Sequence, residues 1–136
     1  MFLLDTNVVS ELRMPKRADA RILAWAQSTP ADGMYLSAVT VLELELGTLL
    51  KARTDPVYGA ILRLWLDREV LPRFDGRILA VDTAVAQRCA GLHVPKTRPE
   101  RDAMIAATAL VHGMAVVTRN VRDFEGTGVW VVCPWG

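Results

Sequence analysis

The stretch FLLDTN, residues 2–7, joins a short apolar run to an acid and two further polar residues. A continuous apolar run is typical of a strand that is buried on both faces of a parallel sheet. The polar residues that end the stretch favour the beginning of a helix, which is predicted over Val8 to Arg13. A strand that leads directly into a helix is the first half of a β-α-β unit, so the stretch indicates an α/β fold.

The rest of the chain repeats this alternation. Further strands are predicted at Met34 to Leu36, Arg77 to Val81, Ala115 to Thr118 and Val129 to Val132. Further helices are predicted at Ala18 to Gln27, Val39 to Lys51, Asp55 to Val70, Asp82 to Leu92 and Glu100 to His112. The pattern predicts a parallel β-sheet flanked by helices on both faces, within a single domain of residues 1–136. Such sheets bind ligands at the carboxyl ends of their strands, near the point where the strand order reverses.

The composition excludes several classes of protein. The formal net charge is +1, so any binding of nucleic acid must depend on local arginines or on a metal. Cys89 and Cys133 are far apart in the sequence and are expected to be reduced thiols, because neither belongs to a disulfide or zinc motif. No apolar stretch approaches the ~20 residues of a membrane span, and no basic leader precedes Asp5. A cytoplasmic protein without a membrane partner is therefore expected.

Two acids follow predicted strands. Asp5 ends the first strand, and Asp123 lies shortly after the strand that ends at Thr118. The structural alternatives are a helix cap for Asp5 and a turn residue for Asp123. The same two strand ends carry four further polar side chains: Thr6, Asn7, Thr118 and Asn120.

Two further acids lie on predicted helices. Glu43 alternates with leucines and has Gly47 one turn further along the same helix face. We expect Gly47 to let another backbone approach beside Glu43, because glycine is unfavourable within a helix. Asp102 lies in the first turn of an alanine-rich helix that is suited to close packing against the sheet. The structural alternatives are a solvated helix face for Glu43 and a favourable helix-dipole position for Asp102.

Together the four acids predict a metal site. If the strands that precede Asp5 and Asp123 are neighbours, both acids lie at one sheet edge, which Glu43 and Asp102 reach from helices. Carboxylates so close together repel each other unless a cation or a proton separates them. Oxygen ligands of this kind suit Mg²⁺ or Mn²⁺ rather than zinc.

At these residues the chain resembles PIN-domain toxins of the VapC type, including the FitB-like branch. The segments that carry the resemblance are Leu4-Asp5-Thr6-Asn7, Glu43-Leu44-x-x-Gly47, Asp102-x-x-Ile105-Ala106-Ala107-Thr108-Ala109 and Val117-Thr118-Arg119-Asn120-x-x-Asp123-Phe124. Each segment alone is nonspecific, but all four in this order span essentially the whole chain and are highly specific. The resemblance implies a Rossmann-like PIN fold.

The resemblance also implies an activity and partners. It implies a Mg²⁺-dependent endoribonuclease, with Mn²⁺ as a substitute, that is the toxin of a type II toxin–antitoxin pair. A homodimer and a cognate VapB-type antitoxin are the implied protein partners. By motif, Asp5, Glu43 and Asp102 match the family's near-universal acids and Asp123 its more variable fourth. Thr118 matches a supporting hydroxyl residue, whereas Asn120 stands where some relatives place another acid.

Two features outside the acids point to binding surfaces. Arg119 and Arg122 adjoin the predicted site and are candidates for holding RNA phosphates, with a solvated turn as the alternative. The leucine-rich helices Val39 to Leu50 and Ile61 to Leu71 carry more apolar surface than one buried face needs. We expect them to form a protein interface, the alternative being that both are buried within the monomer.

Other classes fit the sequence less well. A haloacid-dehalogenase-type phosphatase needs a second acid where this chain has Asn7, and a response-regulator receiver needs a lysine beyond Lys96. A non-catalytic PIN-like module that binds RNA or protein is the remaining alternative. Asp5→Asn is expected to abolish cleavage and, without metal, to melt no lower than the wild type, because a repelling charge is removed.

Overall fold

The computed structural model describes residues 1–136 and contains a five-stranded sheet. Its strands are β1 (Phe2–Leu4), β2 (Met34–Ser37), β3 (Ile78–Leu79), β4 (Ala115–Val117) and β5 (Val131–Val132). The spatial order is β3-β2-β1-β4-β5, and every neighbouring pair is parallel. The predicted α/β fold with a parallel sheet is confirmed.

Helices connect the strands. They are α1 (Thr6–Leu12), α2 (Ala20–Ser28), α3 (Ala38–Thr54), α4 (Pro56–Trp65), α5 (Leu71–Arg73), α6 (Thr83–Leu92) and α7 (Glu100–His112). Short 3-10 turns lie at Ala31–Gly33 and Val121–Phe124, and a π-helical segment, Leu66–Val70, joins α4 to α5. None of the helices combines the length and the apolar character that crossing a membrane requires.

The two faces of the sheet belong to separate core clusters, because successive side chains of a strand point to opposite faces. Leu4 and Val117 pack in a cluster with Val8 of α1 and Ile22 of α2. Leu3 and Val116 pack in a second cluster, with Ile105 and Ala106 of α7. The predicted helices on both faces are therefore confirmed.

Several element boundaries differ from the prediction. The predicted strands Arg77 to Val81 and Val129 to Val132 shrink to two residues each, because β3 and β5 are edge strands with a partner on one side only. The Arg77 side chain donates to the carbonyls of Ala31, Met34 and Arg73 just before β3 begins. The helix predicted over Asp55 to Val70 is not regular throughout, since its hydrogen bonding becomes π-helical at Leu66.

The prediction for Gly47 was wrong. Apart from its two chain neighbours and the nearby backbone of its own helix, no heavy atom lies within 4 Å of the position where a Cβ at Gly47 would stand. The close helix contact occurs instead at Gly59 of α4, where a Cβ would stand 2.5 Å from Cα of Ala52 on α3. The sequence offers no signal that separates these two glycines, because their surroundings depend on how α3 and α4 cross.

Candidate active site

The candidate site lies at the carboxyl ends of β1 and β4. These strands pair in parallel with Leu4 opposite Val117, so Asp5 and Thr118 follow at the same level. The Asp5 N–H donates to the Val117 carbonyl at 2.9 Å, which extends the ladder by one residue. The chain passes from β1 through β2 to β3 on one side and then crosses to β4 and β5 on the other side of β1, so the strand order reverses between β1 and β4.

Asp5 is the buried centre of the site, with 6% of its surface exposed. Its Oδ1 accepts the Thr6 N–H at 2.8 Å, and its Oδ2 accepts the Thr118 hydroxyl at 2.8 Å and the Asn7 amide at 3.1 Å. The predicted alternative, a helix cap, is present as well, because Asp5 caps α1. A carboxylate has about four lone-pair positions, so roughly one remains for another ligand. Burial raises the pKa of Asp5 despite these donors, and the Glu43 charge raises it further.

A polar network fixes the Asp5 carboxylate. The fully buried Thr118 hydroxyl accepts from the Asn7 side-chain amide at 3.2 Å and from the Asn120 N–H at 3.0 Å. The Asn7 carbonyl oxygen in turn accepts the Arg119 N–H at 3.1 Å. Asn7 and Thr118 therefore tie the loop after β1 to the loop after β4. Asn120 takes part through its backbone, whereas its side chain is exposed.

Glu43 reaches the site from α3. Its Oε1 accepts the Thr6 hydroxyl at 2.7 Å, and its Oε2 lies 3.6 Å from Nη1 of Arg101. The Thr40 hydroxyl lies 3.3 Å from that of Thr6 and steadies the same contact. Thr6, predicted as a supporting residue, therefore links the end of β1 to Glu43.

Asp102 and Asp123 complete the acidic group. Asp102 lies in the first turn of α7, and Asp123 lies on the exposed 3-10 turn that follows β4. The pKa of Asp102 is raised to about 6, first by burial and then by the charges of Asp123, Asp5 and Glu43, while the Arg101 charge opposes the rise. The other three predicted acids therefore lie within electrostatic reach of Asp102. We call Asp5, Glu43, Asp102 and Asp123 the acidic edge.

The donor set of the acidic edge fits a hard divalent cation. Its ligand atoms are all carboxylate oxygens, and their mutual repulsion is a cost that a cation would remove. No three of these carboxylates bring oxygens within 4.8 Å of one another. A cation held by these carboxylates would therefore have to keep some of its own waters, which Mg²⁺ does.

The structure also brings together a second group of side chains of the kinds that bind metals, which was not predicted from the sequence. Cys89 lies in α6, and His93, four residues later, is the C-cap of that helix. Both side chains lie close to Glu100 of α7, and the ligand atoms of the three residues are within 4.8 Å of one another. His93 Nε2 is 3.8 Å from the Cys89 sulfur and 3.6 Å from a Glu100 oxygen. We call these three residues the α6–α7 trio. The four-residue spacing of Cys89 and His93 was a visible signal, but the position of Glu100 was not.

Hydrogen bonding makes the α6–α7 trio a poor metal site. His93 Nδ1 accepts the Arg98 N–H at 3.1 Å, so the proton of the neutral ring lies on Nε2, the atom that a metal would need. Burial and the Glu100 charge also raise the pKa of the Cys89 thiol, whereas metals bind thiolates. Both cysteines are free, as expected; Cys89 is buried and Cys133 half-buried.

The two arginines predicted beside the site differ in their surroundings. The Arg119 guanidinium lies 5.7 Å from the ring centre of Trp135, in a cation–π contact that turns it toward the C-terminal segment. Arg122 is exposed on the 3-10 turn beside Asp123.

Comparison with known proteins identifies the family. The model of the PIN domain matches residues 2–128. The chain is 40% identical to Toxin FitB of Neisseria gonorrhoeae, over 99% of each protein, and 38% identical to VapC ribonuclease Y4jK of Sinorhizobium fredii, over 99% of this chain and 98% of that protein. The crystal structure of FitAcB from Neisseria gonorrhoeae superposes with a TM-score of 0.90 at 38% identity, over 99% of each chain. The chain therefore belongs to the PIN domain family, in the FitB-like branch of the VapC-type toxins.

Proposed function

We propose that this protein is an endoribonuclease toxin that hydrolyses RNA phosphodiester bonds with the help of Mg²⁺, for which Mn²⁺ can substitute. The observation that carries the proposal is the convergence of four carboxylates at the reversal point of the sheet. Membership of the family that includes VapC ribonucleases supports RNA as the substrate.

In this proposal Asp5 and Asp102 bind the cation directly or through water, and Glu43 and Asp123 complete the site. When bound, the cation supplies an acidified water for in-line attack on phosphorus and neutralises charge on the phosphate. Asp5 is suited to its role because three donors hold its carboxylate still.

The polar neighbours position these acids. Thr118 and Asn7 hold Oδ2 of Asp5, and Thr6 holds Oε1 of Glu43, so the free lone pairs keep fixed directions. Because these carboxylates are already held in place, they lose little conformational entropy when a cation binds. The bound cation would then have a defined position relative to the substrate, which favours catalysis. Asn120 adds a backbone donor to Thr118 without adding a fifth negative charge.

We propose a cognate VapB-type antitoxin and a second copy of the chain as protein partners. Similar structures include FitAB bound to a DNA fragment, at 38% identity, and a toxin–antitoxin complex from Klebsiella pneumoniae, at 27% identity. The leucine-rich helices support an interface, because seven large apolar side chains on α3 and α4 are at least 37% exposed. These residues are Leu42, Leu46, Leu49, Leu50, Val57, Ile61 and Leu64.

We further propose that residues 1–136 act as one domain in the cytoplasm, where an RNA substrate and an antitoxin are both present. The order of the sheet supports one domain, because β1 near the start of the chain lies between β2 and β4, and β5 near its end pairs with β4.

Cleavage by the purified protein tests this function. The wild type, freed of antitoxin, is expected to cleave a structured RNA with Mg²⁺ or Mn²⁺ and to stop when EDTA is added. Asp5→Asn should lose at least about a hundredfold in rate, whereas Asp32→Asn, which removes an exposed acid remote from the acidic edge, should keep full activity. Equal activity of the two variants would contradict a catalytic role for Asp5. RNA binding by the wild type without any cleavage would favour a non-catalytic binding module.

A further inference from the structure

We propose that Arg101 is a substrate-positioning residue, which pairs with Glu43 in the metal-free protein and binds an RNA backbone phosphate once a cation occupies the acidic edge. The inference rests on the proposed function, since it assigns the phosphate contact of the same site. It names a residue outside the four acids and their polar supports.

The contact geometry places the Arg101 charge at the mouth of the site. Nη1 of Arg101 lies 3.6 Å from Oε2 of Glu43, and the side chain of Arg101 is 48% exposed. One part of the guanidinium therefore faces the acidic edge while the rest faces solvent. A guanidinium has five N–H donors, so this single loose contact leaves most of them available to phosphate oxygens.

The helix dipole does not explain the position of Arg101, although the Arg101 charge partly offsets the acids and lowers the pKa of Asp102. Arg101 lies in the first turn of α7, where the helix dipole disfavours a cation. Glu43 is also the partner of Thr6, whose hydroxyl already binds Oε1 at 2.7 Å, so Glu43 does not depend on Arg101 for orientation. An arginine kept at an unfavourable helix position, against one edge of an acidic group, is consistent with a role toward an anionic ligand.

Cation binding and Arg101 compete for the same oxygen. Oε1 of Glu43 already accepts the Thr6 hydroxyl, so Oε2, the atom that faces Arg101, is the freer of the two oxygens for a cation. With a cation held at Oε2, the Arg101 guanidinium would lose its attraction to Glu43 and would be free for another partner. An RNA phosphate would then be the new partner of Arg101. In the metal-free protein, the pairing of Arg101 with Glu43 prevents this phosphate contact.

Two other arginines near the site are engaged elsewhere, and Arg122, exposed beside Asp123, forms no ion pair with the acidic edge. Arg119 stacks on Trp135, and Arg98 donates to the carbonyls of Leu92 and Glu125. Arg101 is the arginine whose ion pair is with a carboxylate of the acidic edge.

The test compares Arg101→Gln, Arg101→Lys and a matched control, Arg53→Gln. Arg53 is exposed and lies ten residues beyond Glu43 on α3, about 15 Å along the helix. Binding of a labelled single-stranded RNA is measured by fluorescence anisotropy with Ca²⁺ in place of Mg²⁺, from 50 to 200 mM salt (approximately the range over which counterion release is resolved). Mn²⁺ binding without RNA is measured by calorimetry, and Mg²⁺-dependent cleavage is measured in parallel.

Arg101→Gln is expected to bind RNA about tenfold more weakly, and its plot of log K against log[salt] should flatten by about 0.7. Arg101→Lys should recover the slope and part of the affinity, because it restores the charge but not the planar fork. Arg53→Gln should match the wild type. Without RNA, Arg101→Gln should bind Mn²⁺ at least as tightly as the wild type, since a competing cation is gone.

Three outcomes overturn the inference. If Arg101→Gln keeps the wild-type affinity and salt slope while the wild type cleaves RNA, Arg101 does not contact phosphate and the proposed function stands. If Arg101→Gln binds Mn²⁺ more weakly, Arg101 supports Glu43 instead of competing for it. If the wild type neither binds nor cleaves RNA, the proposed function fails and the inference fails with it.

Discussion

Two parts of this molecule bring together side chains of the kinds that bind metals. They differ in the hydrogen-bond partners and the protonation of those side chains. The α6–α7 trio brings a thiol, an imidazole and a carboxylate within 4.8 Å of one another. No three carboxylates of the acidic edge are as close. By distance alone the trio is the better site.

The hydrogen-bond partners reverse this ranking. His93 is held with its proton on Nε2 by the Arg98 N–H, and the Cys89 thiol is kept protonated by burial. In the acidic edge, donors orient Asp5 and Glu43, while burial and the charges of the neighbouring acids raise the pKa of Asp102. Ligand-type residues in contact are therefore a weaker sign of a metal site than carboxylates with free lone pairs and uncompensated charge.

The largest expected difference between the two parts is in metal affinity. Asp102→Asn should weaken Mn²⁺ binding by about a hundredfold, since a ligand and a negative charge are lost together. His93→Gln should leave Mn²⁺ binding unchanged, because it removes Nε2 but keeps an acceptor for Arg98. Calorimetric titration of both variants checks the pair, and loss of binding in His93→Gln alone would reverse the assignment of the two sites.

A second test concerns the buried donors around Asp5. The structure changes the expectation that Asp5→Asn melts no lower than the wild type without metal. Asp5 accepts from Thr6, Asn7 and Thr118, and an asparagine would turn an N–H₂ group toward one of these donors. We expect a loss of about 1 to 3 kcal/mol in the free energy of unfolding in EDTA. Urea denaturation measures it, and an unchanged or higher midpoint would mean that charge relief outweighs the lost hydrogen bonds.

The charge of Asp102 has the opposite effect on stability. Its pKa is about 6 in the folded protein against an ordinary 3.8, so the folded state holds the proton more tightly than the unfolded state. Ionisation therefore costs stability: the penalty is absent below the unfolded pKa, grows as the pH rises from 3.8 to about 6, and is complete at neutral pH. With solvent screening taken into account, we expect it to be about 1 to 2 kcal/mol.

Asp102→Asn removes that penalty. In EDTA the variant should be more stable than the wild type at neutral pH and should lose this advantage near pH 3.8. Thermal melts across this pH range check the sign. The exposed Asp75→Asn is the control and should show no such trend. If Asp102→Asn is less stable than the wild type at neutral pH, the ionised Asp102 carboxylate does not destabilise the metal-free fold.

The smallest expected effect tests whether the acidic edge needs open space beside Glu43. Gly47→Ala should raise the free energy of unfolding by about 0.5 to 1 kcal/mol, because a Cβ there meets no atom within 4 Å and alanine favours the helix. The matched Gly59→Ala should lower it by about 1 to 3 kcal/mol, because its Cβ would overlap Ala52. Chemical denaturation compares the two, and a loss of stability in Gly47→Ala would show a contact that α3 makes with something outside the chain.

Much of the fold followed from local chemistry along the chain. The sheet and its helices were predictable because their signals lie in neighbouring residues. These signals are the apolar run at Phe2–Leu4, the alternation of strands with helices, and the helix caps at Asp5, Ser37, Asp55 and Asp82. The proximity of the other three acids to Asp102 was likewise predictable, because each acid stands at an element end or on a helix face that such a sheet brings to one edge; their role stays a prediction.

Long-range packing determined the remainder. The roles of Gly47 and Gly59, the meeting of Cys89 and His93 with Glu100, and the pairing of Arg101 with Glu43 depend on how helices cross, which residue types do not encode locally. The ends of β3 and β5 depend on where a neighbouring strand stops offering hydrogen bonds. The protonation of two side chains also depends on tertiary structure. The pKa of Asp102 is set by partners distant in sequence, and the tautomer of His93 by a backbone N–H in a folded loop.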